Sequence, residues 1–396
     1  MRNRIKQLLP KQILEFLKVI RYLFITALFH LFHLFPIHKN RVVICNVWGF
    51  GDNAKYVAEE LVKRKKPRKE LELIFVANHP ETAYAPNGIT VLKTNSLKAV
   101  YALATARVWV DNNRKENYIR KRKGQYYIQT WHGGIALKKI EKDYEEKLGP
   151  KYVTNAKQDS GMTDLYISNS NFCTAMYRNS FWYQGEILEC GSPRNDILLN
   201  KSDHVAAEVR KRLGVRDKVK IAIYAPTYRE GDNNTKAYRL DFPKLISALE
   251  NKFGGNWVMA VRLHPLVSGL SGFITYNQQI INASHYRDIY ELMSVGDVLI
   301  TDYSNLMFEF SFMRRPVFLY ALDVTEYERE RGFYFEYSSL PYKKAQSKEE
   351  LLTNIHEFDE EEYKTRVEAF LGGLSIYEYG NASKTVADRI MKVLGK

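Results

Sequence analysis

The chain is short of the features that usually announce a chemistry. Among its 396 residues only Cys45, Cys173 and Cys190 are cysteine. An odd set without CxxC or Cys/His ligand spacing indicates neither a disulfide framework nor a zinc site, and it fits a reducing cytoplasm. There is no GxGxxG, no Walker A run, no GxSxG elbow and no Asp-x-Asp pair, so dinucleotide, P-loop, serine-hydrolase and metal-clamp readings lack their signatures. No internal repeat or low-complexity segment is evident, and 45% hydrophobic with 26% charged residues is a globular composition long enough for two cores.

Charge is unbalanced. The formal net charge is +14, which implies anionic partners. Arg2, Arg4, Lys6, Lys11, Lys18 and Arg21 crowd the start, Lys63 to Lys66 with Arg68 and Lys69 form a second cluster, and Arg120 to Lys123 a third. None coincides with aromatic stacking motifs or a recognition module, so nucleic acid is not an expected partner. The first cluster is also apolar, with Ile13, Leu14, Phe16, Leu17, Ile20, Leu23, Phe24, Ala27, Leu28, Leu31, Phe32 and Phe35 at helical spacing. Glu15, Lys18, Arg21, His30 and His33 make it too polar for a spanning helix of about 20 apolar residues. Its histidines and the Phe35-Pro36-Ile37-His38 segment do not suit a cleaved signal peptide. Residues 1–38 are therefore read as an amphipathic leader lying on an anionic membrane surface. The alternative is a helix packed on the protein's own core.

After the leader, strand-like runs alternate with helical patterns. Strands are expected over 41–47, 71–77, 107–111, 126–130 and 165–168, with a helix over 53–64 behind the Gly49-Phe50-Gly51 turn. The rhythm restarts with strands over 219–226, 257–263, 297–301 and 316–320, after a polar linker at Lys201-Ser202-Asp203. This predicts an α/β chain of two doubly wound, Rossmann-like domains, 39–200 and 201–396, facing a cleft with ligands at strand C-terminal ends.

Four segments put chemistry at such strand ends. In Gln129-Thr130-Trp131-His132-Gly133-Gly134, a histidine before two glycines can approach a substrate closely and accept a proton near neutrality. In Arg262-Leu263-His264-Pro265, arginine offers a fork for phosphate oxygens and histidine can neutralise developing charge. Ala225-Pro226-Thr227-Tyr228-Arg229 is the third. The fourth, Thr301-Asp302-Tyr303-Ser304-Asn305, opens a helix after an apolar strand, an arrangement that turns N–H groups toward phosphate. Asp302 or Ser304 is the expected N-cap, and Glu309 is expected to leave the first turn's N–H groups free.

These residues resemble the CDP-glycerol glycerophosphotransferases of teichoic acid and capsule synthesis. The resemblance covers nearly the whole chain after the leader. It rests on Thr130-Trp131-His132-Gly133 with Leu137-Lys138-Lys139, on Pro193-Arg194-Asn195-Asp196, on Tyr224 to Arg229, on Arg262 to Pro265, on Thr301 to Asn305, and on Arg331-Gly332-Phe333-Tyr334. It implies a GT-B-like fold in which the second domain holds a CDP-linked donor and the first presents the acceptor, a polyprenyl-diphosphate-linked glycan. It implies peripheral attachment to the cytoplasmic face of the membrane. His132 is then the general base for the acceptor hydroxyl, and His264 binds or neutralises the diphosphate. Thr301, Asp302, Ser304 and Asn305 form the donor-phosphate loop, with Arg229 and Arg262 as further donor contacts and Trp131, Gly133 and Gly134 on the acceptor side. No cofactor is required by this reading, and no sequence feature fixes a divalent-ion requirement or an oligomeric state.

The chain departs from the family pattern at Gly134-Ile135, where Thr-Pro is common, at Ser192, where tyrosine is frequent, and at Tyr379-Gly380-Asn381, where an Asp-Gly pair is usual. Without the long N-terminal region of the large polymerases, the expectation is addition of one or few units. CDP-ribitol is an alternative donor, and the rival classes are a GT-B glycosyltransferase using a nucleotide sugar and a non-catalytic anion-binding protein.

Overall fold

In the computed structural model, residues 10–65, 70–82, 84–228, 238–264, 272 and 274–396 are described. Seven strands build the first sheet: β1 (His38–Cys45), β2 (Glu72–Ala77), β3 (Ile89–Lys93), β4 (Ala106–Asp111), β5 (Tyr126–Gln129), β6 (Leu165–Ser168) and β7 (Glu186–Glu189). Six build the second: β8 (Lys220–Tyr224), β9 (Trp257–Val261), β10 (Ile280–Asn282), β11 (Val298–Thr301), β12 (Val317–Tyr320) and β13 (Lys343–Ala345). The orders are β3-β2-β1-β4-β5-β6-β7 and β10-β9-β8-β11-β12-β13. Pairing is parallel throughout, with Ile44 opposite Phe75 and Val110, and Ile223 opposite Ala260 and Leu299.

Each sheet starts at its centre, grows one way, then crosses back. The reversal opens a crevice at the C-terminal ends of β1 and β4 in one domain and of β8 and β11 in the other, the topological switch points where doubly wound sheets bind ligands. The fold is thus GT-B-like, two doubly wound domains face to face. Central strands are buried on both faces, including Val42, Val43 and Ile44, Val108 to Val110, and Leu299 with Ile300. Each such side chain contributes roughly 1.5–3 kcal/mol of burial, which is why continuous apolar runs mark the central strands.

The C-terminal boundary differs from the sequence reading. The last helix, Ala382–Val393, returns to the first domain, where Val386, Ala387, Ile390 and Met391 share a core with Val42, Ala54, Val57 and Leu61. Its start is held by Asp196, whose carboxylate accepts from the N–H groups of Ala382 (2.9 Å) and Ser383 (2.8 Å). The division at 200/201 separates the sheets, but the chain crosses between the domains twice.

The leader forms a helix over Lys11–Phe32 that is docked on the first domain along one side and exposed along the other. Phe29 is fully buried and Ile25 nearly so, in a core with Trp109, Tyr118 and Tyr127. The Arg122 guanidinium donates to the carbonyls of His33 and Phe35, so part of the third basic cluster clamps the helix end rather than meeting a partner. The face bearing Ile13, Phe16, Leu17, Val19, Ile20, Leu23, Phe24 and Leu31 is exposed. Among the described residues no helix is long and apolar enough to cross a membrane. Arg2, Arg4, Lys6, Lys66, Arg68 and Lys69 lie outside the described residues.

Candidate active site

A cavity of about 580 Å³ lies between the domains, lined from the first by Trp131, His132, Gly133, Gly134 and Lys138 and from the second by Tyr228, Arg262, His264, Ser304 and Asn305. His132 follows β5. Its Nδ1 is 2.8 Å from the carbonyl oxygen of Asn112. A carbonyl only accepts, so Nδ1 carries the proton and Nε2 is left with its lone pair, the tautomer a general base needs. Trp131 fixes the ring from behind. It has a left-handed backbone (φ 52°), its N–H donates to Gln129 Oε1 (2.9 Å), and its indole lies 4.3 Å from the imidazole and edge-on to Phe181. Trp131 is thus a buried support whose edge reaches the cavity. Gly134 meets a spatial limit, because a Cβ there would come within 2.6 Å of the Asn169 amide nitrogen. That contact fits glycine where the family commonly carries threonine.

The segment after His132 crosses to the second domain. Lys139 N–H donates to Gly332 O (3.0 Å), Tyr334 N–H to Leu137 O (2.8 Å), and Leu137 N–H to Asn305 Oδ1 (3.1 Å). Two motifs far apart in sequence, Leu137-Lys138-Lys139 and Arg331-Gly332-Phe333-Tyr334, are one short antiparallel junction. Lys138 brings an ammonium to the cavity wall over the Tyr327 ring.

On the second domain, His264 follows β9 and lies 5.1 Å from the Tyr228 ring. Partial burial holds its pKa below the usual 6.5, so it is mainly neutral near pH 7. Arg262 lines the cavity, but its guanidinium donates to the carbonyls of Ala283 (3.3 Å) and Tyr286, bracing that loop. Burial lowers the Arg262 pKa as well. Arg229 lies outside the described residues.

The loop after β11 divides. Ser304 and Asn305 line the cavity, whereas Thr301 and Asp302 are buried behind it. Thr301 Oγ1 donates to Ala225 O (2.7 Å), and Asp302 Oδ1 accepts from Thr227 N–H (2.8 Å) and Tyr303 N–H (2.6 Å), joining this loop to the one after β8. The expected capping is corrected. The helix is only Leu306–Phe310, Asn305 takes the N-cap position without a side-chain cap bond, and the N–H groups of Leu306 to Glu309 point to oxygens of Ser304 and Asn305. Five residues leave no turn between start and end, so Glu309 falls inside the first turn. Its carboxylate is buried against another partner.

That partner is Arg194, which the sequence reading quoted as motif but gave no role. Arg194 is 2% exposed. Its Nε and Nη2 donate to Glu309 Oε1 (3.1 and 2.5 Å), and Nη1 to Asp52 Oδ1 and the His132 carbonyl (both 2.8 Å). The Tyr290 ring lies 5.0 Å from the guanidinium, and its hydroxyl donates to Glu309 Oε2 (2.9 Å). Asp52 in turn accepts from Asn112 Nδ2 (3.0 Å), the residue whose carbonyl orients His132. One fork therefore links His132 to the helix that follows β11. Among the described residues no group of three or more His, Cys, Asp or Glu is arranged to hold a metal ion.

The sequence pattern of CDP-glycerol:poly(glycerophosphate) glycerophosphotransferases matches residues 27–392. The teichoic acid poly(glycerol phosphate) polymerase of Staphylococcus epidermidis is 31% identical over 371 residues, 89% of this chain and 51% of that protein. The chain thus spans about half of that relative's length, but a Bacillus spizizenii protein of the same name is matched over 95% of its length and 92% of this chain, at 28% identity. A teichoic acid ribitol-phosphate polymerase of Staphylococcus aureus is 26% identical over 373 residues, 90% of this chain and 64% of that protein. Among solved structures, the wall teichoic acid polymerase TagF superposes with a TM-score of 0.81 at 28% identity, covering 97% of each chain. A UDP-GlcNAc 2-epimerase from Neisseria meningitidis shares the fold alone, with a TM-score of 0.50 at 13% identity over 89% of this chain and all of the other. The chain belongs to the CDP-glycerol:poly(glycerophosphate) glycerophosphotransferase family.

Proposed function

We propose that this protein transfers glycerol phosphate from CDP-glycerol, with CDP-ribitol as the alternative donor, to a hydroxyl of a membrane-linked glycan or polyol-phosphate chain and releases CMP. The observation that carries this reading is the tautomer of His132, set by the Asn112 carbonyl at 2.8 Å in a cavity walled on its far side by Ser304, Asn305 and His264. The acceptor hydroxyl gives its proton to His132 Nε2 as its oxygen attacks the β-phosphorus of the donor. The bond from that phosphorus to the bridging oxygen breaks, the electron pair leaves with CMP, and a phosphodiester forms. Lys138, His264 and the Ser304 and Asn305 side chains offset the charge on the transferring group. The exposed apolar face of the helix Lys11–Phe32 supports peripheral attachment at the cytoplasmic face of the membrane, where a lipid-linked acceptor would be met.

The test is CMP release from CDP-glycerol and from CDP-ribitol, each with and without a lipid-linked disaccharide acceptor. Wild type should release CMP from one donor in an acceptor-dependent way. His132→Ala should slow turnover by about 10²–10⁴-fold while CDP-polyol affinity stays near wild type. Turnover retained in that variant overturns the base assignment, and silence of wild type with both donors moves the reading to a sugar nucleotide.

A further inference from the structure

The donor cavity occupies the switch point of the second domain and leaves that of the first unassigned. A second cavity, of about 370 Å³, sits there, lined by Asn46, Trp48, Asp52, Arg287, Ile289 and His132 among others. It shares His132, Arg194 and Tyr290 with the donor cavity. The base is therefore a common wall between two chambers.

Trp48 is the conspicuous feature of the second chamber. An indole usually buries much of its surface, yet this one is 84% exposed. The loop carrying it is built rather than slack. Buried Asn46 accepts from Trp48 N–H through Oδ1 (3.1 Å) and donates through Nδ2 to Gly51 O (3.0 Å). Gly49, at φ 111°, supplies the turn that an L side chain would strain. Across the chamber, each acid in the wall is held by a buried cation that it shares with a second carboxylate. Asp52 is paired with Arg194 (2.8 Å), and Asp288 with Lys55 (2.7 Å) and the Tyr56 hydroxyl (2.9 Å). Arg287, held over the Tyr84 ring at 3.4 Å, is exposed and offers a solvent-facing guanidinium at the chamber.

We infer that this chamber is the acceptor subsite, taking the polyol-phosphate end of the acceptor chain, with Trp48 against its carbons and Arg287 on a phosphodiester. The inference rests on the transferase reading and deepens it. In a phosphoryl transfer the attacking and leaving oxygens stand roughly in line across phosphorus. With CMP in the donor cavity, the alcohol must come from the opposite side and still reach His132, and the second chamber adjoins the donor cavity across His132, Arg194 and Tyr290. Stacking on an indole reads carbon surface, while a guanidinium fork reads phosphate oxygens.

The experiment uses the full chain, CDP-glycerol or CDP-ribitol as donor, and a short soluble glycerol phosphate oligomer as acceptor. Trp48→Ala should raise the acceptor KM by about tenfold with the donor KM within about twofold. Trp48→Phe should recover most of the loss. Arg287→Gln should weaken the oligomer more than a neutral glycerol-tipped analogue. Independently of turnover, the oligomer should quench tryptophan fluorescence in wild type and not in Trp48→Phe. An unchanged acceptor KM in Trp48→Ala, or a donor KM rising in parallel, overturns the subsite while leaving the transferase reading intact. If wild type releases no CMP from either donor, the transferase reading falls, and the quenching comparison still decides whether the chamber binds polyol phosphate.

Discussion

On the proposed reading, His264 should sense the donor. Its pKa is held below 6.5 by partial burial. A diphosphate arriving beside it favours the charged imidazolium, so the pKa in the complex is higher than in the free protein. Binding must then take up a proton over the interval between the two values, and by linkage affinity rises as pH falls through that interval. The expectation is that CDP-glycerol binds more tightly at pH 6 than at pH 8, by about tenfold for each pH unit separating the two pKa values. The diphosphate diester itself does not titrate there. Calorimetry in buffers of different ionisation enthalpy should show net proton uptake, and His264→Gln should flatten the profile. An unaltered slope in that variant would assign the proton elsewhere. At this scale the sequence made His132, His264, Ser304 and Asn305 legible because each follows a recognisable strand. It could not disclose Arg194, whose partners Asp52 and Glu309 lie 142 and 115 residues away.

Elements were legible in proportion to how completely they are buried. Val298–Thr301 and Val317–Tyr320 are buried along their whole length, apolar but for Thr301 and the Tyr320 hydroxyl, and both stand out in the sequence. The strands that escaped notice, β3, β7, β10 and β13, include all four sheet edges, where one flank has no neighbour strand and Glu186, Glu189, Lys343 and Lys344 are tolerated. The leader was harder for a related reason. A single helical stripe was legible, but Ile25 and Phe29, which dock it, lie off that stripe and are revealed only by Trp109, Tyr118 and Tyr127. The two faces should separate by mutation. Phe29→Ala should cost about 3–5 kcal/mol of stability, read by chemical denaturation. Replacing Phe16, Leu23 and Phe24 together by serine should leave the denaturation midpoint near wild type and sharply reduce binding to vesicles of anionic phospholipid. A midpoint that falls as far for the second variant would make the outer face part of the fold.

Across the whole molecule, the two domains are joined beside the candidate site. The chain passes between them at Pro193 to Asp196 and again before Ala382, and the first of these crossings carries Arg194. Its guanidinium pairs with Asp52 of the first domain and Glu309 of the second, and holds the His132 carbonyl between them. All these contacts are largely withdrawn from water, so the pairing is costly to break from one side. A buried carboxylate that loses its cation keeps the desolvation cost without the attraction. Arg194→Met should therefore destabilise the fold by about 3–5 kcal/mol. Glu309→Gln added to it should restore part of that loss, because the stranded charge is removed. Activity separates this positioning role from simple fragility. In conditions where the double variant is fully folded, kcat should stay depressed, because His132 has lost the bond that fixes its backbone, while the CDP-polyol dissociation constant remains near wild type. Denaturation curves and CMP-release kinetics on the single and double variants provide the check. Equal recovery of stability and kcat in the double variant would mean that Arg194 supports the fold alone and leaves the base to be held by Asn112 and Trp131.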